Sequence, residues 1–129
     1  MIRAVDTNVI VRALVADDPR QALIAKETLC DHFTVSISVF LEVEWVLRSQ
    51  YHWSRGQIAD NLREIIDLAT LRDPPNGLAW AIDRYAAGAD FADVIHLISS
   101  GGATSFATFD RRLAAKAGPK APLPVETLA

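Results

Sequence analysis

The sequence predicts an α/β domain with a central, mostly parallel sheet of short strands. Short apolar or β-branched runs alternate with longer helical patterns, and polar residues that suit helix starts follow those runs. No internal repeat interrupts this order. Half of the 129 residues are apolar and 22% are charged, a globular composition that excludes disordered and fibrous classes. We expect one domain over residues 1–129.

In the first half of the chain, two strand patterns each lead into a helix. Asp18-Pro19 suits a helix start, because the N–H that Pro lacks has no partner in the first turn. β-Branched residues favour the second strand, and a Ser caps the apolar helix after it. The predicted elements are strands at 2–5 and 33–37 and helices that begin at Asp6, Asp18 (to about Asp31), Ser38 (to about Gln50) and Ser54 (to about Ala69).

The second half begins after the loop Asp73-Pro74-Pro75-Asn76-Gly77, the strongest break in the sequence. Gly88 suits the position after a helix, since glycine adopts a positive φ at little cost. Gly101-Gly102 ends the next helix. The predicted elements are a brief strand at 71–73, helices at 77–87, 90–99 and from Asp110 to near Gly118, and strands at 103–109 and 123–125.

Acidic residues directly follow two of the predicted strands, Asp6 after the first and Asp110 after the strand at 103–109. Ligands bind beyond the carboxyl ends of parallel strands, so we expect both acids at one edge of the sheet. Each residue also has an ordinary alternative role as a helix cap.

Glu42 lies in a helix that is apolar nearly all round, which predicts that the helix is buried. No cation stands three or four positions from Glu42, whereas Glu44 has Arg48 one turn on and is interpreted as a surface ion pair on the opposite side. A buried carboxylate needs a metal, a donor or a proton. Glu42 is therefore a candidate ligand, and a carboxylate that reaches the edge of the core is the alternative.

Asp90 and Asp93 are three positions apart and point to one side of a helix. They form either a helix cap with a first-turn acid or half of a metal site. Two carboxylates about 5 Å apart repel by roughly 3 kcal/mol at an effective dielectric near 20, so several converging acids would need a cation. Oxygen ligands favour Mg²⁺, or Mn²⁺, over Zn²⁺. His96, one turn further, is interpreted as a partly buried structural residue.

Together these segments resemble the PIN-domain ribonucleases, and among them the VapC-type toxins of bacterial toxin–antitoxin pairs. The resemblance covers almost the whole chain. It implies a three-layer α/β/α domain, often dimeric, and metal-dependent endonucleolytic cleavage of RNA. The segments that carry it are Asp6-Thr7-Asn8-Val9, Asp17-Asp18-Pro19-Arg20-Gln21, Glu42 within Phe40 to Leu47, Ala89-Asp90-Phe91-Ala92-Asp93 and Thr108-Phe109-Asp110.

The resemblance also implies which residues form the site. The matching positions are the catalytic and metal-binding acids Asp6, Glu42, Asp93 and Asp110, the additional catalytic acid Asp90 of one VapC subgroup, and the supporting polar residues Asn8 and Thr108. Asp90 and Asp93 compete for the third acidic position. The usual partner of such a toxin is a small antitoxin whose C-terminal tail covers the acidic groove, often with an Arg that reaches the carboxylates.

We therefore predict a Mg²⁺-dependent endoribonuclease that acts as the toxin of a toxin–antitoxin pair and forms a homodimer. The net charge of −3 does not by itself indicate nucleic-acid binding. The candidate phosphate contacts, for which solvated surface is the alternative, are Arg12, Arg111, Arg112 and Lys116. A catalytically inactive PIN-like binding module is a second interpretation. A signalling receiver domain is a third, which the helical pattern at 53–68 disfavours because no middle strand there ends in an Asp.

The sequence also limits the compartment and the role of the aromatic residues. Cys30 is the only cysteine, and Asp6 interrupts the N-terminus before a signal-type apolar run, so we expect a cytoplasmic protein. No stretch approaches the roughly 18 apolar residues of a membrane span. Core or dimer packing is favoured over base stacking for the following aromatic residues: Phe40, Trp45, Tyr51, Trp53 and Trp80.

Overall fold

Short parallel strands alternate with longer helices in the computed structural model, which describes residues 1–129. The α/β class predicted from the sequence is therefore confirmed. By its internal contacts the chain divides into two compact units, Met1–Pro75 and Asn76–Ala129. The expectation of one domain over residues 1–129 stays a prediction. None of the helices combines the length and the apolar character that a membrane crossing requires.

The first unit contains two strands and four helices. They are β1 (Arg3–Ala4), α1 (Thr7–Val15), α2 (Pro19–Leu29), β2 (Phe33–Thr34), α3 (Ile37–Ser49) and α4 (Arg55–Ile66). β1 pairs with β2 in parallel, with Arg3 opposite Phe33 and Ala4 opposite Thr34. The strand predicted at 71–73 is only an isolated parallel bridge between Leu71 and Phe33.

Capping side chains set the helix starts in this unit. Pro19 occupies the first turn of α2 as predicted, and Asp18 Oδ1 accepts a hydrogen bond from the Gln21 N–H at 3.1 Å. The prediction that Ser38 caps α3 was wrong. The Ser36 hydroxyl accepts from the backbone N–H of Val39 at 3.3 Å, so α3 begins at Ile37 and β2 ends earlier than predicted.

The core of the first unit is built from one face of each helix. α1 packs against α2 and α3, and α3 packs against α4. Burying a large apolar side chain of this kind contributes about 1.5–3 kcal/mol. The fully buried large side chains of this unit are Ile10, Val11, Phe33, Phe40, Val43, Leu47, Ile58 and Leu62.

The second unit contains three helices and two strands. They are α5 (Leu78–Ala86), α6 (Phe91–Ile98), β3 (Phe106–Thr108), α7 (Leu113–Ala117) and β4 (Val125–Thr127). β3 and β4 are parallel, with Phe106 opposite Val125. β4 begins two residues later than the predicted strand at 123–125, because Pro122 and Pro124 have no N–H for a ladder.

α5 and α6 pack together in this unit, and the rings of Tyr85 and Phe91 meet edge to face with centroids 5.1 Å apart. Gly88 follows α5 with φ +119, as its predicted position after the helix requires. A separate apolar cluster joins α6, α7 and the segment before β4. Its buried members are Leu97, Leu113, Ala117 and Leu123. Phe106 of β3 packs against this cluster. These contacts hold α6 and β3 in place, and candidate acids lie in α6 and just beyond β3.

Candidate active site

Asp6 lies directly after β1 at the start of α1. Its Oδ1 accepts a hydrogen bond from the Thr7 N–H at 2.7 Å, and the side chain is exposed. Ser36 follows β2 and starts α3 in the same way. Because β1 and β2 are parallel, Asp6 and the N-terminus of α3 lie at the same carboxyl edge of these strands.

The predicted environments of Glu42 and Glu44 were both wrong, because they are exchanged. Glu42 is exposed on α3, whereas Glu44 is buried and accepts a hydrogen bond from Arg48 Nε at 2.7 Å. The buried stripe of α3 has the i, i+3, i+4, i+7 spacing of one helical face. Its members are Phe40, Val43, Glu44 and Leu47. Burial therefore gives no reason for Glu42 to bind a ligand, and its candidacy rests on the family pattern.

In the second unit, Asp90 caps α6. Its Oδ1 accepts a hydrogen bond from the backbone N–H of Asp93 at 3.1 Å. Asp110 lies just beyond β3 and is tied on both sides. Its N–H donates to the Thr108 hydroxyl at 3.0 Å, and its Oδ1 accepts from the Arg112 N–H at 2.8 Å. Each cap engages one oxygen of a carboxylate and leaves the second oxygen for other contacts.

Asp93 is a partly buried acid in the first turn of α6. Partial burial raises the pKa of its carboxyl above the ordinary value of 3.8, and the negative charges of Asp90 and Asp110 raise it further. His96 acts in the opposite direction, and it is exposed, so its interpretation as partly buried was wrong. Asp90 and Asp110 thus each lie near enough to Asp93 for their charges to act on it.

The donor chemistry of these acids suits a hard divalent cation. The three carboxylates offer only oxygen, and mutual repulsion favours a bound positive charge. The structure brings no three His, Cys, Asp or Glu side chains together in an arrangement that could hold a metal ion. Mg²⁺ commonly keeps several waters and uses one or two carboxylates, so the oxygen donors of Asp90, Asp93 and Asp110 suit Mg²⁺, or Mn²⁺, by their chemistry.

The predicted polar and basic residues fall into two groups. Asn8 and Arg12 line a groove of about 330 Å³ between α1 and α2. Arg12 is engaged within its own unit, because its Nη1 donates to Asp17 at 3.3 Å and to the Tyr51 hydroxyl at 3.5 Å. The other group lies beyond Asp110 on or just before α7 and is exposed. It comprises Arg111, Arg112 and Lys116.

Two aromatic residues are exposed to solvent, and only one of them was singled out from the sequence. Phe40 is buried as predicted, whereas Trp45 is about half exposed, so core packing does not hold for Trp45 and its dimer-packing alternative stays a prediction. Phe109 was not singled out among the aromatic residues, yet it is 73% exposed between Thr108 and Asp110. Strand alternation places Thr108 and Phe109 on opposite sides. It does not say which of the two faces solvent, so the sequence carried no signal for the exposure of Phe109.

The chain matches the PIN domain over residues 3–119, so it belongs to the PIN domain family. It has no significant match to a curated protein or to a solved structure. The resemblance expected from the sequence is confirmed for the family. PIN domains are generally nucleases that bind RNA and use a divalent metal ion, so the chain has a nuclease-type fold.

Proposed function

We propose that this protein is a Mg²⁺-dependent endoribonuclease and the toxin of a VapC-type toxin–antitoxin pair. The observation that carries the nuclease proposal is the match to the PIN domain over residues 3–119. Partial burial and the charges of Asp90 and Asp110, which raise the pKa of Asp93, support it. A structural role for Asp90 as the cap of α6 would not explain why Asp110 also lies near Asp93. Acids held together against their repulsion are a common feature of functional sites.

The proposed metal ligands are Asp6 and Asp93, with Glu42 and Asp110 completing the set directly or through water. The family pattern supports the inclusion of Asp6 and Glu42, which belong to the first unit. When bound, a divalent ion would supply a water of lowered pKa and positive charge for the phosphodiester. The additional acid Asp90 holds α6 in position, since it accepts from the Asp93 N–H.

The remaining residues orient the acids and hold the RNA. The Thr108 hydroxyl fixes the backbone at Asp110, and Asn8 stands in the first turn of α1 after Asp6. Exposed Arg111 and Arg112 directly follow Asp110, where their guanidinium groups suit the phosphates on either side of the cleaved bond. Lys116 and Arg12 are the outer candidates for the same role.

The toxin role, a small antitoxin partner, a homodimer and a cytoplasmic location rest on the VapC resemblance. A short neighbouring reading frame that encodes a DNA-binding protein would support this part of the proposal. Co-expression should then give a complex in which the RNA cleavage of the free protein is suppressed. Full cleavage in the complex would contradict the toxin–antitoxin assignment and leave the nuclease proposal untouched.

The nuclease proposal is tested by Mg²⁺-dependent cleavage of RNA by the purified chain and by Asp6→Asn and Asp93→Asn. We expect cleavage to require Mg²⁺ or Mn²⁺ and to fall at least about a hundredfold in both variants, the usual scale for loss of one group that stabilises a transition state. Asp60→Asn, on the exposed face of α4, is the matched control. Full activity of Asp6→Asn and Asp93→Asn would refute the proposed site.

A catalytically inactive RNA-binding module is the second candidate. The observation that favours it is that the structure brings no three His, Cys, Asp or Glu side chains together in an arrangement that could hold a metal ion. Such a module would bind single-stranded RNA with the same affinity in Mg²⁺ and in EDTA and would produce no cleavage. Turnover that depends on Mg²⁺ would exclude it.

A further inference from the structure

We propose that Phe109 positions the RNA substrate by stacking on a base next to the phosphate at which the RNA is cleaved, the phosphate that lies toward Asp110. This inference rests on the proposed ribonuclease function and adds a contact that recognises the nucleic acid. It concerns a residue whose side chain has no role in the core, because 73% of its surface is exposed. Apart from the N-terminal Met1, it is the most exposed large apolar residue of the chain.

The backbone on both sides of Phe109 is anchored. Thr108 lies in the parallel ladder opposite Thr127, and its carbonyl accepts a hydrogen bond from the Leu128 N–H at 2.7 Å. Asp110 is tied to the Thr108 hydroxyl and to the N–H of Arg112. The ring is thus presented from an ordered segment, so its binding to a base costs little backbone entropy.

The surroundings of the ring favour a nucleic acid over an apolar protein surface. Asp110 follows it, and two exposed cations, Arg111 and Arg112, come next. Charged residues are depleted from the centre of protein interfaces. An aromatic ring beside cations is the usual arrangement for single strands, in which the ring stacks on a base and the cations follow the phosphates.

Stacking also explains how an exposed aromatic residue could act beside an acidic site. Every base has a π face, so the contact is independent of base identity. It would hold one nucleotide flat against β3 and place the adjoining phosphate toward Asp110. The contact therefore predicts a requirement for an unpaired nucleotide at the cleavage position, since a base within a duplex is not available for stacking.

The test compares Phe109→Leu, Phe109→Ala and Phe109→Trp in steady-state cleavage of a single-stranded RNA. We expect the Leu and Ala variants to raise KM about tenfold, within the range for loss of one base–aromatic stack, with kcat within about twofold of wild type. The Trp variant should retain the wild-type KM, because it restores the π face. Leu preserves apolar volume, so a difference between Leu and Trp isolates stacking from hydrophobic contact.

Binding is measured separately with a 2-aminopurine-labelled oligonucleotide in the Asp93→Asn background, in which cleavage is suppressed. Stacking on Phe109 should quench the fluorescence at one labelled position, and Phe109→Leu should abolish that quenching. Leu23→Ala, at an exposed apolar site on α2, is the control and should change neither KM nor quenching. Circular dichroism should show an unchanged fold for every variant, because an exposed ring contributes little to stability.

The outcomes separate this inference from the proposed function. If the wild-type chain cleaves RNA and Phe109→Leu retains its KM and its quenching, the stacking role is wrong and the nuclease proposal stands. A change of oligomeric state with an unchanged KM would assign Phe109 to a protein interface and also overturn the inference. A wild-type chain that neither cleaves nor binds RNA would refute both.

Discussion

Arg48 Nε donates a hydrogen bond to Glu44 Oε2 at 2.7 Å across one turn of α3, and the two side chains differ sharply in exposure. The carboxylate is 5% exposed and its partner is 54% exposed. The aliphatic stem of an arginine can cover apolar surface while its guanidinium reaches water. Glu44 therefore has a structural role, and Glu42, two positions earlier, is the glutamate of α3 that is exposed to ligands.

Removing the arginine from this pair should destabilise the fold. We expect Arg48→Met to lower the free energy of unfolding by about 1–3 kcal/mol, because a buried acceptor loses a charged donor. Urea denaturation measures the effect. Arg63→Met is the matched control, since Arg63 pairs with exposed Asp60 at 3.1 Å and such surface pairs contribute about 0–1 kcal/mol. Equal losses in the two variants would contradict the structural role of Glu44.

Glu42→Gln should separate function from stability. The side chain is exposed, so the free energy of unfolding should stay within about 0.5 kcal/mol of wild type. Under the proposed function, RNA cleavage should fall by about a hundredfold or more. A Glu42→Gln protein that is stable and fully active would remove Glu42 from the site.

Thr108 should act as a positioning residue for Asp110. Thr108→Val removes the hydroxyl that accepts a hydrogen bond from the Asp110 N–H, so the backbone at Asp110 loses its anchor and only the bond from the Arg112 N–H to the carboxylate remains. We expect kcat for RNA cleavage to fall about tenfold with KM nearly unchanged, because a small displacement of a catalytic group is costly. Thr108→Ser retains the hydroxyl and should restore the activity. If Thr108→Ser shows the same loss of kcat as Thr108→Val, the loss comes from altered packing of β3 and not from the missing hydroxyl.

Asp93→Asn should stabilise the metal-free protein at pH 7. The pKa of Asp93 is raised above 3.8 in the folded protein. The stability that the protonated carboxyl contributes is therefore fully present below pH 3.8 and is lost as the pH rises through the raised pKa. Burial and the two neighbouring carboxylates therefore outweigh the favourable position of this charge at the start of α6. Thermal unfolding should show a higher Tm for Asp93→Asn at pH 7 and no advantage near pH 3.

The same variant tests metal binding without an activity assay. A ligand that binds the folded state raises Tm, and a tenfold excess over Kd contributes about 1.4 kcal/mol. Magnesium chloride should thus raise the Tm of the wild-type chain and should raise that of Asp93→Asn much less. An equal response of both proteins would place any bound Mg²⁺ away from Asp93.

Two glycine substitutions should have opposite effects. Gly77 has φ +83, and a Cβ there would lie 2.9 Å from Ile98 Cγ2, so Gly77→Ala should cost about 1–3 kcal/mol. Gly56 lies in α4 with nothing within 4 Å of an added Cβ. Gly56→Ala should stabilise the protein by about 0.5–1 kcal/mol. Urea denaturation measures the free energy of unfolding of both variants. A Gly77→Ala protein as stable as wild type would contradict the close approach of Ile98.

Local signals along the chain predicted the helices well. Asp18-Pro19 and Ser54 start α2 and α4 as expected, since a cap depends on residues within one turn. Strand ends were predicted less well. Ser36 and Ser38 are both favourable N-cap residues, and α3 uses the earlier one, two residues after the end of β2 at Thr34.

The sequence by itself determined the α/β class, the parallel direction of the strands and the chain order of the acids, and hence the PIN family. These properties depend on local patterns and on residue identity. Only the tertiary structure decided that Glu44 is buried and Glu42 exposed, and that Phe109 faces solvent. A helix that is apolar on nearly every side does not specify which face is covered, because burial is set by elements that are distant in sequence and packed against it in space.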